Sequence, residues 1–257
     1  MDFHCHIDLY PSALEVYAEA ARRCEFVWLV TTSPKAFIAS SRVLPPVPTI
    51  FISPGLHPEI AHQRHGELSM LLQQLQGVSA VGEIGLDGSP RYREHFSVQQ
   101  DVFEKTVARC SELGGRVLSI HSRNAAKEVL DTLERHPSYG TAVLHWYSDS
   151  LHQLRRAIEL GCWFSVGPAM LRTANGRRIA ASLPVARVVT ESDGPFAKVQ
   201  GQALMPWQAS DVASQLACAW NMQDADVREM LPENGRSLRN HIEGRSPGLL
   251  PRYGKTD

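Results

Sequence analysis

Eight short apolar runs rich in β-branched residues, alternating with segments of helical spacing, constrain this chain's fold more than any other feature. They fall at residues 2–6, 26–31, 50–55, 78–84, 116–120, 141–144, 162–166 and 187–190. Between them, residues 12–24, 67–76, 96–113, 124–136 and 150–160 carry apolar side chains at the spacing of amphipathic helices. The strand runs are continuously apolar rather than alternating, the pattern of parallel strands covered on both faces. Eight such units close naturally into one barrel, and 257 residues is a typical length for it. The expectation is therefore an α/β fold, a single (β/α)8 TIM barrel over residues 1–242, with extra helices near 206–220 and 224–238 packed outside. Residues 243–257, with Gly, Pro and Arg interspersed, read as a loose tail. Pro45, Pro46 and Pro48 crowd the short connection 33–48, so the second helix is expected to shrink to a turn or two.

Composition narrows the function. No apolar run reaches the roughly 18 residues of a membrane span, and no basic segment leads into an apolar one at the start, so a soluble, cytoplasmic protein is expected. The five cysteines show no metal-type spacing and read as free buried thiols. With 11 histidines present, a transition-metal site would be built from imidazole and carboxylate. A net charge of −1 gives no global attraction to nucleic acid, so a phosphate-binding role needs a local basic lining or metal ions.

His4 and His6 sit two apart on the first run, so both side chains leave one face of the strand. Glu83 ends the fourth run, His121 the fifth and His145 the sixth, and Asp193 follows the eighth. All six fall at C-terminal strand ends, where barrel enzymes assemble their active sites. His57, Arg123, Asp87 and Arg93 lie on the same rim. Arg172, Arg177 and Arg178 follow the seventh run, as a phosphate lining or a solvated helix face.

The motifs resemble those of the TatD family of metal-dependent deoxyribonucleases, barrels of the amidohydrolase superfamily. Asp2, His4, His6 and Asp8 match its D-x-H-x-H-x-D, and Gly55, His57 and Pro58 its G-x-H-P. GEIGLD is intact from Gly82 to Asp87, H-S-R runs from His121 to Arg123, and E-[ST]-D-[AG]-P from Glu191 to Pro195. The resemblance covers residues 2–238. It implies that His4, His6, Glu83 and Asp193 hold one divalent ion and that Glu83, His121 and His145 hold a second, with Glu83 bridging. Such a ligand set suits zinc, manganese or iron better than magnesium. Two cations about 3.5–4 Å apart can clamp a phosphate and activate water, with Asp193 the natural proton acceptor and Glu83 the shared anchor.

DNA is then the implied substrate, with 3′ to 5′ exonuclease action. His57 resembles a position near the substrate phosphate, and Arg123 is placed to meet phosphate or hold Asp193. Asp87 and Arg93 read as substrate contacts or as a loop ion pair. Asp8 reads as orienting a histidine or capping the helix after Pro11. The proline-rich second connection and the region around Met205 and Pro206 depart from the family pattern on the rim that shapes the pocket. The compact outline also resembles the TatD-like component of Qat anti-phage cassettes, which implies protein partners in a defence system. An amidohydrolase or esterase acting on a small molecule, and a metal-stabilised scaffold for protein partners, are the alternative readings.

Overall fold

A computed structural model of the chain describes residues 1–244. Strand and helix alternate as β1 (Asp2–Cys5), α1 (Ala13–Arg23), β2 (Val27–Val30), α2 (Pro34–Val43), β3 (Ile50–Ser53), the short α3 (Ala61–Arg64) and α4 (Leu68–Gln74). There follow β4 (Ala80–Gly85), α5 (Phe96–Glu112), β5 (Arg116–His121), α6 (Ala126–Arg135), β6 (Gly140–His145), α7 (Leu151–Glu159), β7 (Trp163–Val166), α8 (Ala174–Ala180) and β8 (Val188–Thr190). A two-stranded hairpin, β9 (Lys198–Val199) and β10 (Gln202–Ala203), precedes α9 (Ala213–Trp220) and α10 (Asp224–Ile242).

All eight strands of the barrel run parallel in chain order, as two continuous ladders, β1–β2–β3 and β4 through β8. Individual backbone bonds bridge the two seams. Gly82 N donates to Pro54 O (2.8 Å) and Glu83 N to Thr31 O (3.1 Å). On the other side Asp193 N donates to His4 O (2.9 Å) and His6 N to Gly194 O (2.8 Å). Both seams are thus tied at the C-terminal strand ends, where the site lies.

Trp28, Val30, Ala80, Val117, Val143, Trp163 and Val189 form one buried apolar cluster with Leu238 and Ile242 of α10. The extra C-terminal helices do pack outside the strands. The last turns of α10 lie across the N-terminal opening, where Arg239 donates to Glu25 O (3.1 Å) and Pro48 O (2.9 Å), and Ser79 Oγ to Ile242 O. One end of the barrel is closed by α10, which leaves the other for chemistry. A larger cluster fills the space between β4–β8 and the helices from α4 to α10, and a third seats α1 against β1, β2 and β3.

The second helix corrects the expectation. α2 has ten residues, because Ser33 Oγ caps it by accepting from Ala36 N (3.1 Å) and Pro34 occupies its first turn, where no N–H is needed. Pro45, Pro46 and Pro48 stand beyond its last residue, so they end the helix instead of shortening it. The expected tail from residue 243 falls outside the described residues apart from Glu243 and Gly244, which finish α10 through Glu243 N to Arg239 O (2.8 Å). All five cysteines are free, but only four are buried; Cys218 is exposed on α9.

Candidate metal centre

Alternation on β1 turns Asp2 and His4 inward, and both are fully buried. Asp2 staples this strand to the segment after β8, accepting from Ser192 N (3.0 Å), Ser192 Oγ (2.5 Å) and His4 N (3.1 Å). Burial pushes its carboxyl up to about 7 against these donors. The same segment carries Asp193, whose φ of 50° lies in the left-handed region that aspartate tolerates better than most side chains. Glu83 comes close to the segment after β3 because that segment carries a glycine, Gly55. A Cβ on Gly55 would sit 2.3 Å from Thr31 O and 2.4 Å from Glu83 N, inside the bond that ties β2 to β4.

Glu83, 1% exposed, is the hub. Its Oε2 lies 3.0 Å from His57 Nε2, 3.2 Å from His6 Nε2 and 3.4 Å from His4 Nε2. Its Oε1 lies 2.9 Å from both His121 Nδ1 and His145 Nε2. Asp193 Oδ1 stands 3.8 Å and 3.9 Å from the Nε2 atoms of His4 and His6. Ligand-type atoms of His4, His6 and Glu83 lie within 4.8 Å of one another, as do those of His4, His145 and Asp193 and those of His57, Glu83 and His121. The six expected ligands therefore converge, together with His57.

The outward nitrogen of most of these rings faces a fixed partner. Ser119 Oγ is 2.7 Å from His4 Nδ1, and Asp87 Oδ2 is 2.9 Å from His121 Nε2. Asp87 is itself held by Ser89 N (2.8 Å). Burial works against its charge, but the bonds from His121 and Ser89 draw its carboxyl down to about 2. Behind His145 stands Glu191, fully buried, 3.7 Å from Nδ1 and fastened by Trp146 N (3.0 Å) and Ser165 Oγ (2.5 Å). His57 Nδ1 accepts from Glu59 N (3.1 Å), which leaves its proton on Nε2, so it turns a donor rather than a lone pair toward Glu83.

Among the described residues no lysine or arginine pairs with Glu83, Asp87, Glu191 or Asp193; every ion-pair partner is a histidine. Buried anions need compensating positive charge. Burial opposes the charge on Glu83, yet His57, His145 and His4, with the bond from His121, hold its carboxyl well below the usual range. Burial likewise opposes charge on His145, but Glu83 and Glu191 raise it well above an ordinary imidazole. His4 goes the other way, lowered well below the ordinary value by burial and then by His145. Asp193 is pushed up to about 7 by burial, against the pull of His145 and His6. Meanwhile His4 Nε2, both nitrogens of His6 and His145 Nδ1 are buried without a hydrogen-bond partner. The orphaned Nε2 atoms of His4 and His6 face the shared Glu83 carboxylate, and with no lysine or arginine paired to it among the described residues they form a donor set that fits divalent metal.

The other expected residues stand apart. Arg123 and Arg93 are exposed. Among the described residues Arg123 does not pair with Asp193, nor Arg93 with Asp87; each carboxylate faces histidine instead. Asp8 caps no helix, since the cap position of α1 is Ser12; its buried Oδ1 has no hydrogen-bond partner, and burial raises its carboxyl against the pull of His6. Arg172 and Arg177 line a cavity of about 500 Å³ with Gln215, Cys218 and Ala219 that contains none of the six ligands. Sequence reasoning missed the positioning roles of Glu191 and Ser119. Glu191 sits two residues before Asp193, and Ser119 shares the inward face of β5 with His121, so alternation could have flagged the serine.

Comparisons with known proteins give the family. The model of the family described as "TatD related DNase" matches residues 1–240. An Escherichia coli K12 protein named uncharacterized metal-dependent hydrolase YjjV is 29% identical, over 93% of this chain and 97% of its own length. Human deoxyribonuclease TATDN3 is 24% identical over 93% of each. The crystal structure of the E. coli YjjV protein, a TatD homologue, superposes with a TM-score of 0.82 at 26% identity, covering 92% of this chain and 96% of that one.

Proposed function

We propose that this chain, which belongs to the TatD related DNase family of metal-dependent hydrolases, cleaves phosphodiester bonds at DNA strand ends using two divalent cations. The observation that carries this reading is the division of the Glu83 carboxylate. One oxygen faces His4, His6 and His57, and the other faces His121 and His145. His4, His6, Glu83 and Asp193 would hold one ion, and Glu83, His121 and His145 the other. Such a pair, when bound, supplies Lewis acidity to the phosphate, the attacking water and the leaving oxygen. Zinc, manganese and iron suit the imidazole-rich set better than magnesium.

The chain's own residues then divide the work. Asp193 takes the proton of the attacking water on its carboxylate. His57, with its proton on Nε2, offers that donor to a phosphoryl oxygen. Asp87, Ser119 and Glu191 keep the ligating rings turned inward. Arg123 and Arg93, exposed beyond this rim, are available to the strand's backbone phosphates. Removal of nucleotides from the 3′ end and a cytoplasmic site of action complete the reading; the five free thiols suit a reducing compartment. No helix among the described residues is long and apolar enough to cross a membrane. A defence role with protein partners rests on the compact outline alone.

The test is incubation of protein reconstituted with zinc, manganese or iron with 5′-labelled single-stranded DNA, against a chelated control. A ladder shortening from the 3′ end is expected. Intact DNA with every metal would overturn the reading.

A further inference from the structure

Beside the centre stands an aromatic ring that no step above uses. Phe196 is 56% exposed, although a phenylalanine left in water forgoes one of the larger hydrophobic gains available to a side chain. Single exposed apolar residues are ordinary, and among the described residues Leu9, Leu14, Ile38 and Val43 are exposed as well. Phe196 differs in two respects: it is aromatic, and its ring meets a residue of the centre, edge-on to His6 at 5.0 Å between centroids.

Its backbone is also fixed. Ala197 N donates to Asp193 O (2.8 Å) and Leu204 N to Ala197 O (3.0 Å). Ala197 is buried with Ala169 and Leu204, in a small cluster that includes the partly buried Trp146 and Val199. The ring is therefore presented to solvent from a held segment, three residues from Asp193, and little ordering is needed when a flat ligand meets it. Lys198, exposed and without an ion pair among the described residues, follows two positions on and supplies a cation to the same segment.

We propose that Phe196 is a stacking platform for the nucleobase next to the scissile phosphate, which makes this centre selective for single-stranded or frayed DNA ends. The inference rests on the reading of DNA as substrate. An aromatic face accepts any base, because every base has a π-face, so the platform selects strand state and not sequence. A base inside a duplex has both faces covered and cannot use it.

The test titrates the metal-loaded protein into an oligonucleotide bearing 2-aminopurine at its 3′ end, its last linkage protected as a phosphorothioate. Quenching of the base's fluorescence is expected. Phe196→Ala should abolish the quench and weaken binding roughly ten- to a hundredfold, while Phe196→Trp retains both and shows that the segment still folds. An oligonucleotide abasic at its 3′ end should bind wild type and Phe196→Ala alike. Unchanged quenching and affinity in Phe196→Ala, an equal loss on the abasic strand, or no binding by the wild type would each overturn the platform. Cleavage of end-labelled DNA separates the two ideas. Phe196-dependent quenching without cleavage keeps the platform and removes the nuclease reading; cleavage without it does the reverse.

Discussion

Replacing Glu191 by glutamine isolates one buried charge. The amide can still accept from Trp146 N with one end and meet Ser165 Oγ with the other, so the fold around it is preserved. What disappears is an anion 3.7 Å from His145 Nδ1. A full unit-charge pair at that distance is worth about 4–5 kcal/mol at an effective dielectric constant of about 20. A ligating imidazole is neutral and carries only a fraction of that charge, which brings the expected loss to about 1.4–2.7 kcal/mol, or roughly ten- to a hundredfold in metal affinity. Competition against a chromophoric zinc chelator measures this, with circular dichroism as the check on folding. Glu191→Ala, which strips partners from Trp146 N and Ser165 Oγ, should also lower the melting temperature. A glutamine variant that binds zinc within twofold of wild type would refute the idea that Glu191 acts on the centre through His145.

Asp193→Asn keeps one acceptor oxygen and loses the proton acceptor, so we expect it to retain most of its metal and lose at least about a hundredfold in turnover; a wild-type rate with full metal would refute Asp193 as the base. Replacing His4 and His6 together by alanine should remove about one metal equivalent per chain by elemental analysis, since both rings face the same Glu83 oxygen. Gly55→Ala should cost more than about 3 kcal/mol of stability by thermal melting, because its Cβ would meet backbone at 2.3 Å and 2.4 Å; a near-normal melt would mean the β2–β4 seam yields easily.

Much of this protein is written in local pattern. Period-two alternation puts Asp2 and His4 on the inward face of β1, and apolar runs bounded by glycine and proline give the strand order, so the rim positions of Glu83, His121, His145 and Asp193 follow without a structure. The length of α2 is legible too, in the cap residue Ser33 and in Pro34 at its first turn, which set its start while the prolines behind it set its end. The closure of the N-terminal opening by α10 is not, because it depends on Arg239 reaching carbonyl groups about two hundred residues earlier in the chain.

Which nitrogen each histidine turns inward was likewise decided only in three dimensions. Ser119 acts on His4 across 115 positions of sequence and Glu83 on His145 across 62, through contacts that exist only when separate strands are neighbours. Residue type and strand position are properties of a segment, so sequence determined the donor set and the end of the barrel that holds it. Ring orientation, tautomer and the charge around a carboxylate are properties of the space between segments, and tertiary structure settled those, because side-chain electrostatics act over a few ångströms of space and not along the chain.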